Sequence, residues 1–415
     1  MHCSIDKFSI ARCASMISTF FLIISAACAN EFEDPPVYNT DTLLTLSDLP
    51  SGVDTANPIT SDGFFRIYQL TTPYGTYDLE GDAFLKMRLG EMTAVAKLTE
   101  VELTDTFKNS FEQAIKAPIG FVQGAVQDPG RAVQKTLTGV SRLFDRAASG
   151  LRNIGKDQDG IAESLLGISK AKREIAISLD VDPYTDFEPL SKKLDRAAQA
   201  SAAGGLTVRG LLTLIPGGVG IAASSASTAS EITGLVRDRT TSELLEINRN
   251  KLARAVGNKP SVNAFFENSN FTPTDQTIIA EALFKLRDVK NVATFLARIA
   301  SAAERSQAIF LRERALMHAL FSEQHTPILQ FTIAGSVPLA VGEEEQIIAL
   351  FPIDAFAWTK RTAGIVESVF LETQNGTSDR SVELIITGDV TQLAQKKISE
   401  FGWKLTQKYK TSPPE

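Results

Sequence analysis

The stretch "NVATFLARIASAAERSQAIFLRERALMHALFSEQHTPILQFTIAGSVPLAVG", Asn291 to Gly342, changes its grammar at His325. As far as Gln324 it reads as helix. Beyond that point "PILQFTIA" and "PLAVG" are short, β-rich and bounded by Pro and Gly, which predicts strands. The switch separates a helical region from one of mixed character.

Upstream, the helical pattern reaches back to Asp82, a candidate N-cap, with Phe84, Leu85, Leu89, Met92 and Val95 or Ala96 at helical spacing. The stretches "VELTDTFKNSFEQAIKA", "IAESLLGISKAKREIAISLD", "EPLSKKLDRAAQA", "TSELLEINRNKLARAVG" and "TPTDQTIIAEALFKLRD" continue it. Residues 82–324 are therefore expected to be a helical domain. Downstream, "QIIALFPI", "VELIITG" and "WKLTQKY" read as strands. "DAFAWTKRTAGIVESVFLE" and "DVTQLAQKKISEFG" read as helices, the second with Asp389 as N-cap and Gly402 at its C-terminal cap. Residues 325–409 form a small α/β domain on this reading, and 410–415 a flexible tail. Before the helices, "FFRIYQL" and "TYDLEG" flank "TTPYG", which predicts a β-hairpin over 64–81. Residues 30–63, acidic and rich in Pro, Asn, Asp and Ser, read as an extended arm. The expected class is mainly α with a small C-terminal α/β domain, α+β overall.

At 415 residues, 43% hydrophobic and 22% charged, the chain has the composition of a folded protein of more than one domain. Its N-terminus carries Lys7 and Arg12, then the apolar run "MISTFFLIISAA", then "AACAN" with Ala27 and Ala29 before Asn30. This is the pattern of a secretory signal peptide over 1–29, the run being shorter than the roughly 17–25 residues that span a bilayer. All three cysteines, Cys3, Cys13 and Cys28, lie within it. Cleavage before Asn30 leaves no thiol for a disulfide, a zinc site or a nucleophile. "ISAAC" also resembles a lipobox, so lipidation at Cys28 stands as the alternative to ordinary cleavage. The net charge of −7 gives no reason to expect a nucleic-acid partner.

Chemistry-bearing motifs are sparse. "GLLTLIPGGVGIAASSAS", Gly210 to Ser227, places Gly218, Gly220 and Ala223 in a G-x-G-x-x-A pattern with Asp238 downstream, yet no second strand follows to carry that acid. Its apolar part is too short to span a membrane, so a buried apolar turn is expected. "KDQDGIAES" offers Asp157, Asp159, Gly160 and Glu163 but puts Leu166 where a calcium loop needs its bidentate glutamate. His318 and His325, with Glu323 between them, match no zinc motif, and there is no G-x-S-x-G elbow or P-loop. No cofactor or metal site is expected. "LDVDPYTDFE" groups Asp180, Asp182, Asp186 and Glu188, the best carboxylate set for an acid–base enzyme. Asp182 before Pro183 also reads as a turn or a cap.

Thr104 to Lys156 stands out within an acidic chain. It carries Lys108, Lys116, Arg131, Lys135, Arg142, Arg146, Arg152 and Lys156 against Asp105, Glu112, Asp128 and Asp145, an excess of four positive charges. Opposite Arg131, Lys135, Arg142 and Arg146 runs the stripe Val133, Leu137, Val140, Phe144. A basic face behind an apolar stripe suits an anionic membrane surface, but most amphipathic helices of folded proteins dock such a stripe on the core and leave the basic face solvated.

"LEGDAFLKMRLGEMTAVAKL", "KAPIGFVQGAVQDPGRAVQKTLTGVSRLF", "KAKREIAISLDVDPYTDFEPLSKKLDRAA" and "IITGDVTQLAQKKISEFGWKL" resemble in pattern a group of exported proteobacterial proteins. The resemblance covers most of the mature chain, carries no activity or functional residue, and implies a periplasmic or outer-membrane setting. The functional expectation is a non-enzymatic envelope protein. Its helical domain would contact an anionic membrane or an envelope protein through Arg131, Val133, Lys135, Leu137, Val140, Arg142, Phe144 and Arg146. Its C-terminal domain, near Trp358 and Trp403, would be an interaction module. The alternative is a periplasmic hydrolase built on the Asp180–Glu188 carboxylates.

Overall fold

The computed structural model describes residues 31–43, 49–116, 159–202, 204–215, 227–374 and 380–410. The protein is mainly α-helical, with a strand region near its N-terminus and a sheet at its C-terminus.

After a one-turn helix, α1 (Thr40–Leu43), come β1 (Asp54–Thr55), β2 (Thr60–Ser61), β3 (Arg66–Thr72) and β4 (Gly75–Glu80). β3 is the hub and pairs antiparallel with the other three. Its burial alternates at every residue, so Arg66, Tyr68, Leu70 and Thr72 face inward. β1 and β2 belong to the stretch read as an extended arm. Ile59, 1% exposed, draws that stretch onto the sheet, and its amide bonds Tyr38 at 2.9 Å. The expected hairpin is thus part of a four-stranded sheet.

Helices follow: α2 (Asp82–Leu103), α3 (Asp105–Lys116), α4 (Asp159–Ser178), α5 (Glu188–Ala202), α6 (Val208–Thr213) and α7 (Ser227–Asp238). Phe84, Leu85, Met92, Val95 and Leu98 of α2 form one core with Tyr68 and Leu70 of the sheet, Ile175 of α4, Leu190 and Leu194 of α5 and Leu211 of α6. The N-cap position of α2 is Gly81, φ 97°, and Asp82 is its first helical residue, which corrects the expected cap. α8 (Thr241–Val256), α9 (Pro260–Glu267), α10 (Pro273–Lys285), α11 (Val292–Ala300) and α12 (Arg305–Gln324) complete the helical region. α8 and α10 open with capping boxes, Thr240 with Glu243 and Thr272 with Asp275, each satisfying amides that a helix start leaves unpaired.

The C-terminal sheet has the order β11-β9-β7-β6-β5. β5 (Gln330–Ala334), β6 (Val337–Val341) and β7 (Ile347–Phe351) run antiparallel in sequence. β9 (Val382–Ile386) and β11 (Lys404–Thr406) extend the sheet in parallel. α13 (Lys360–Gln374) and α14 (Gln392–Glu400) make the crossovers that parallel pairing requires. Two short strands, β8 (Ala355–Phe356) and β10 (Asp389–Val390), pair beside it. Two helix starts differ from expectation. "DAFAW" enters β8 and the helix begins at Lys360. Asp389 lies in β10, while Thr391 caps α14 by accepting from the Ala394 amide at 3.2 Å.

Alternate residues of β7 face opposite layers. Ile348 and Leu350 join Phe295, Leu311, Ala315 and Phe331 in the helical core, whereas Ile347 and Ala349 join Trp358, Val366, Val369 and Ile398. Both faces are covered, as the unbroken apolar runs of these strands require. α12 reaches the three larger cores, through Leu311, Ile309 and Phe310. One core thus holds residues from both sides of residue 325, Phe295 and Leu311 before it and Phe331, Ile348 and Leu350 after it.

Candidate functional site

The contact residues expected at a membrane or partner, Arg131, Val133, Lys135, Leu137, Val140, Arg142, Phe144 and Arg146, lie outside the described residues. The start of their segment is described. α3 buries Phe107 and Ala114, stacks Phe107 on Phe111 at 5.8 Å, and rests on α5, where Arg196 covers the Phe111 ring at 4.9 Å. Lys108 pairs with Asp105 at 3.8 Å and Lys116 with Glu112 at 3.7 Å. α3 is thus a core-docked amphipathic helix with balanced charge. The next described helix, α4, also packs on α5, and Leu103, Ile115 and Leu166 are exposed around these helices.

Of the four carboxylates of the α4–α5 connection, Asp182 and Asp186 lie near enough to Glu91 to raise its pKa, while Asp180 and Glu188 are exposed. Asp180 is exposed with φ 58°, and Glu188, at the start of α5, pairs with Lys192 at 2.7 Å. Asp182 accepts the hydroxyls of Thr272 at 2.6 Å and Thr274 at 2.5 Å, at the N-terminus of α10, and the Tyr184 amide at 2.9 Å. Burial and the nearby Asp275 raise its pKa. Asp186 pairs with Arg88 at 3.1 Å and Arg305 at 3.7 Å.

Asp186 belongs to a network that the sequence reading did not anticipate. Arg88 also holds Glu91 at 2.7 Å, Arg305 and Arg312 both hold the fully buried Asp275, and Arg312 reaches Glu313 at 2.7 Å. Burial opposes the charge on Asp275, but Arg305 and Arg312 outweigh it and keep its pKa at about 2. Burial dominates at Glu91 and, despite Arg88 and the Thr185 hydroxyl, pushes it up to about 7. The network bolts α2, α10, α12 and the α4–α5 connection together. Its signal in the sequence was a charge inside an apolar stripe, Arg88 between Leu85 and Met92.

The remaining candidates take structural positions. His318 is buried, donates from Nδ1 to the Arg314 carbonyl at 2.7 Å and lies 4.9 Å from the Phe295 ring. His325 ends α12 against Phe321 and Tyr409. The apolar run before the glycine motif is helical, with Leu211 and Ile215 buried, and Asp238 ends α7 in a pair with Arg237. That is not the strand-turn-helix of a dinucleotide site. Gly218, Gly220 and Ala223, together with Asp157, lie outside the described residues, and α4 is already helical at Asp159 and Gly160. Among the described residues no group of His, Cys, Asp and Glu is arranged to hold a metal, and no helix is long and apolar enough to cross a membrane. Trp358 is 2% exposed and Trp403 8%, so both serve the core of the α/β layer.

A second unforeseen cluster lies where the N-terminal sheet meets the C-terminal layer. Asp354 Oδ2 accepts the Arg66 amide at 3.0 Å and the Asp82 amide at 3.1 Å. It therefore caps α2 from 272 residues away, where Gly81 has no side chain to do so. The Arg66 guanidinium, 8% exposed, lies over the Tyr38 ring at 4.8 Å and bridges Asp82 at 2.5 Å and Asp389 at 3.5 Å. Tyr68 donates to Asp82 at 2.6 Å, and Lys408 pairs with Asp389 at 2.8 Å. Burial first, and Asp82 second, push Asp354 up to about 7.

No family model, curated protein or solved structure matches the chain.

Proposed function

We propose that the protein is an exported, non-enzymatic component of the bacterial cell envelope whose segment between α3 and α4 contacts an anionic membrane surface. The observation that carries this reading is the charge balance of α3. Its stripe is buried and its lysines are paired, so the whole positive excess of Thr104–Lys156 falls to residues 117–156. The described helices that flank those residues in sequence, α3 and α4, both pack on α5, with Ile115 and Leu166 exposed on them. A basic amphipathic segment gains electrostatic attraction and apolar insertion together at such a surface.

Flotation of the protein lacking residues 1–29 tests it. Binding to vesicles containing phosphatidylglycerol, absent on phosphatidylcholine and weakened by salt, is the expected result. Combined Arg131→Ser, Arg142→Ser and Arg146→Ser substitution abolishes that binding. Failure to float on anionic vesicles, with capture of an envelope protein through the same segment, would replace the membrane by a protein partner. Binding indifferent to the triple substitution would sink the reading. For export, the mass of the processed N-terminus in an envelope fraction is expected to begin at Asn30, against a lipid-bearing Cys28.

A further inference from the structure

We propose that Asp354 is a pH-responsive latch that fastens the N-terminal sheet and the start of α2 to the C-terminal layer, closed while its carboxyl is protonated and loosened once it ionises. The seam it closes is local and well defined. Phe64 O accepts the amides of Asp354 at 3.1 Å and Ala355 at 3.2 Å, and Gly63 O that of Ala357 at 3.0 Å. Phe64 stacks on Phe356 at 5.8 Å. At its end, one oxygen of Asp354 gathers the amides that begin β3 and α2.

The charges around that oxygen do not balance. From β3 come Arg66 and Tyr68, from α2 Asp82, from the N-terminal segment Tyr38, and from the C-terminal layer Asp389 and Lys408. Arg66 gives its ion pairs to Asp82 and Asp389, Lys408 gives its own to Asp389, and among the described residues no cation forms an ion pair with Asp354. Ionising Asp354 therefore sets a second carboxylate beside Asp82 with no cation of its own. The α2 N-terminus, the two amides and the field of the Arg66 guanidinium favour the anion, but burial and Asp82 outweigh them and hold the carboxyl at about 7. With the proton on Oδ1, Oδ2 remains a carbonyl acceptor for both amides. Because the closed seam raises this pKa above the ordinary carboxylate value of roughly 4, stability from the latch is complete below that value. It is lost as pH rises through about 7.

Amide hydrogen exchange of the intact protein reads the seam directly. After correction for intrinsic rates, protection of the Arg66 and Asp82 amides is expected to fall by ~10-fold or more between pH 5 and pH 8. Asp354→Asn keeps a carbonyl acceptor and removes the charge, so its protection should be level across that range. Glu91, the other carboxyl raised to about 7, sits in the separate arginine network, and Glu91→Gln should leave the response at Arg66 and Asp82 intact. Equal protection in the wild type at both pH values overturns the latch, as does a pH response retained in Asp354→Asn or abolished in Glu91→Gln. If Asp354→Asn does not fold, the carboxyl carbon of Asp354, titrated by NMR in the wild type, decides. A midpoint near 7 supports the latch, and one in the ordinary carboxylate range removes it.

Discussion

Arg314 stands in for the backbone hydrogen that Pro338 lacks. The β6–β7 ladder pairs Gly342 with Gln346, whose backbone bond is 2.9 Å, and then Ala340 with Ile348, so the next hydrogen-bonded pair in that register is Pro338 with Leu350. Proline has no N–H to give, and the ladder stops. The Arg314 guanidinium, from the middle of α12, donates to the Leu350 carbonyl at 3.0 Å and to the Pro338 carbonyl, closing the gap with a side chain. Its charge is buried between the Phe295 and Phe351 rings, and burial brings its pKa down to about 9.

Arg314→Met removes the guanidinium donor from two core carbonyls and is expected to cost about 2–4 kcal/mol in urea unfolding at neutral pH. Pro338→Ala restores an N–H facing Leu350. It should therefore recover roughly 1 kcal/mol more in the Arg314→Met background than in the wild type. Equal effects of Pro338→Ala in the two backgrounds would mean that the guanidinium and the proline are unrelated.

Asp275 bridges Arg305 and Arg312, so Asp275→Asn removes the buried carboxylate the two share and leaves Arg305 only Asp186, at 3.7 Å, and Arg312 only Glu313. A loss of about 3–5 kcal/mol is expected at pH 7. Because the folded pKa is depressed to about 2, the stabilisation is present above the ordinary value of roughly 4 and disappears as pH falls through about 2. Acid titration of stability should show wild type and Asp275→Asn converging over that window. A constant gap down to pH 2 would contradict the assignment.

His318 is held neutral, burial and the neighbouring Arg314 taking its pKa down to about 3. The fold excludes the proton, so stability is full above the ordinary value of roughly 6.5 and drains as pH falls toward 3. His318→Phe keeps the stack with Phe295 and Phe331 and forgoes one bond to the Arg314 carbonyl. Denaturation at pH 7 should change by no more than about 1 kcal/mol, while the decline between pH 6 and pH 4 becomes shallower.

Gly388 passes so close to the β8 entry that an added Cβ would lie 1.9 Å from the Asp354 carbonyl oxygen, whose acceptor role for the Asp389 amide, 3.1 Å away, joins β10 to β8. Gly388→Ala is expected to cost more than about 2 kcal/mol and to expose the Arg66 amide to exchange. An unchanged melting temperature would show that the two segments separate freely.

Much of the architecture was legible because it follows from local periodicity. The stripe Phe84, Leu85, Met92, Val95 specifies α2, and the run Ile347–Phe351, apolar throughout, specifies a strand covered on both faces. What local reading misplaced were residues whose partners are distant in the chain. Asp82 and Asp389 look like caps, but their carboxylates are engaged by Arg66. Asp182 and Asp186 look like a catalytic pair, but one holds the threonines of α10 and the other holds arginines of α2 and α12. "DAFAW" looks helical by composition, yet pairing with β10 makes a strand of its centre.

By itself, the sequence determined the order and kind of the longer elements, the absence of thiols after residue 28, and where basic charge collects, because each depends on residue type and short-range spacing. Only the tertiary structure decided which charges are neutralised, which helix start is capped by Asp354, and which proline gap Arg314 fills. Those depend on groups brought together from tens to hundreds of residues apart. In a close-packed interior, a buried carboxylate or guanidinium is stable only where such a partner arrives.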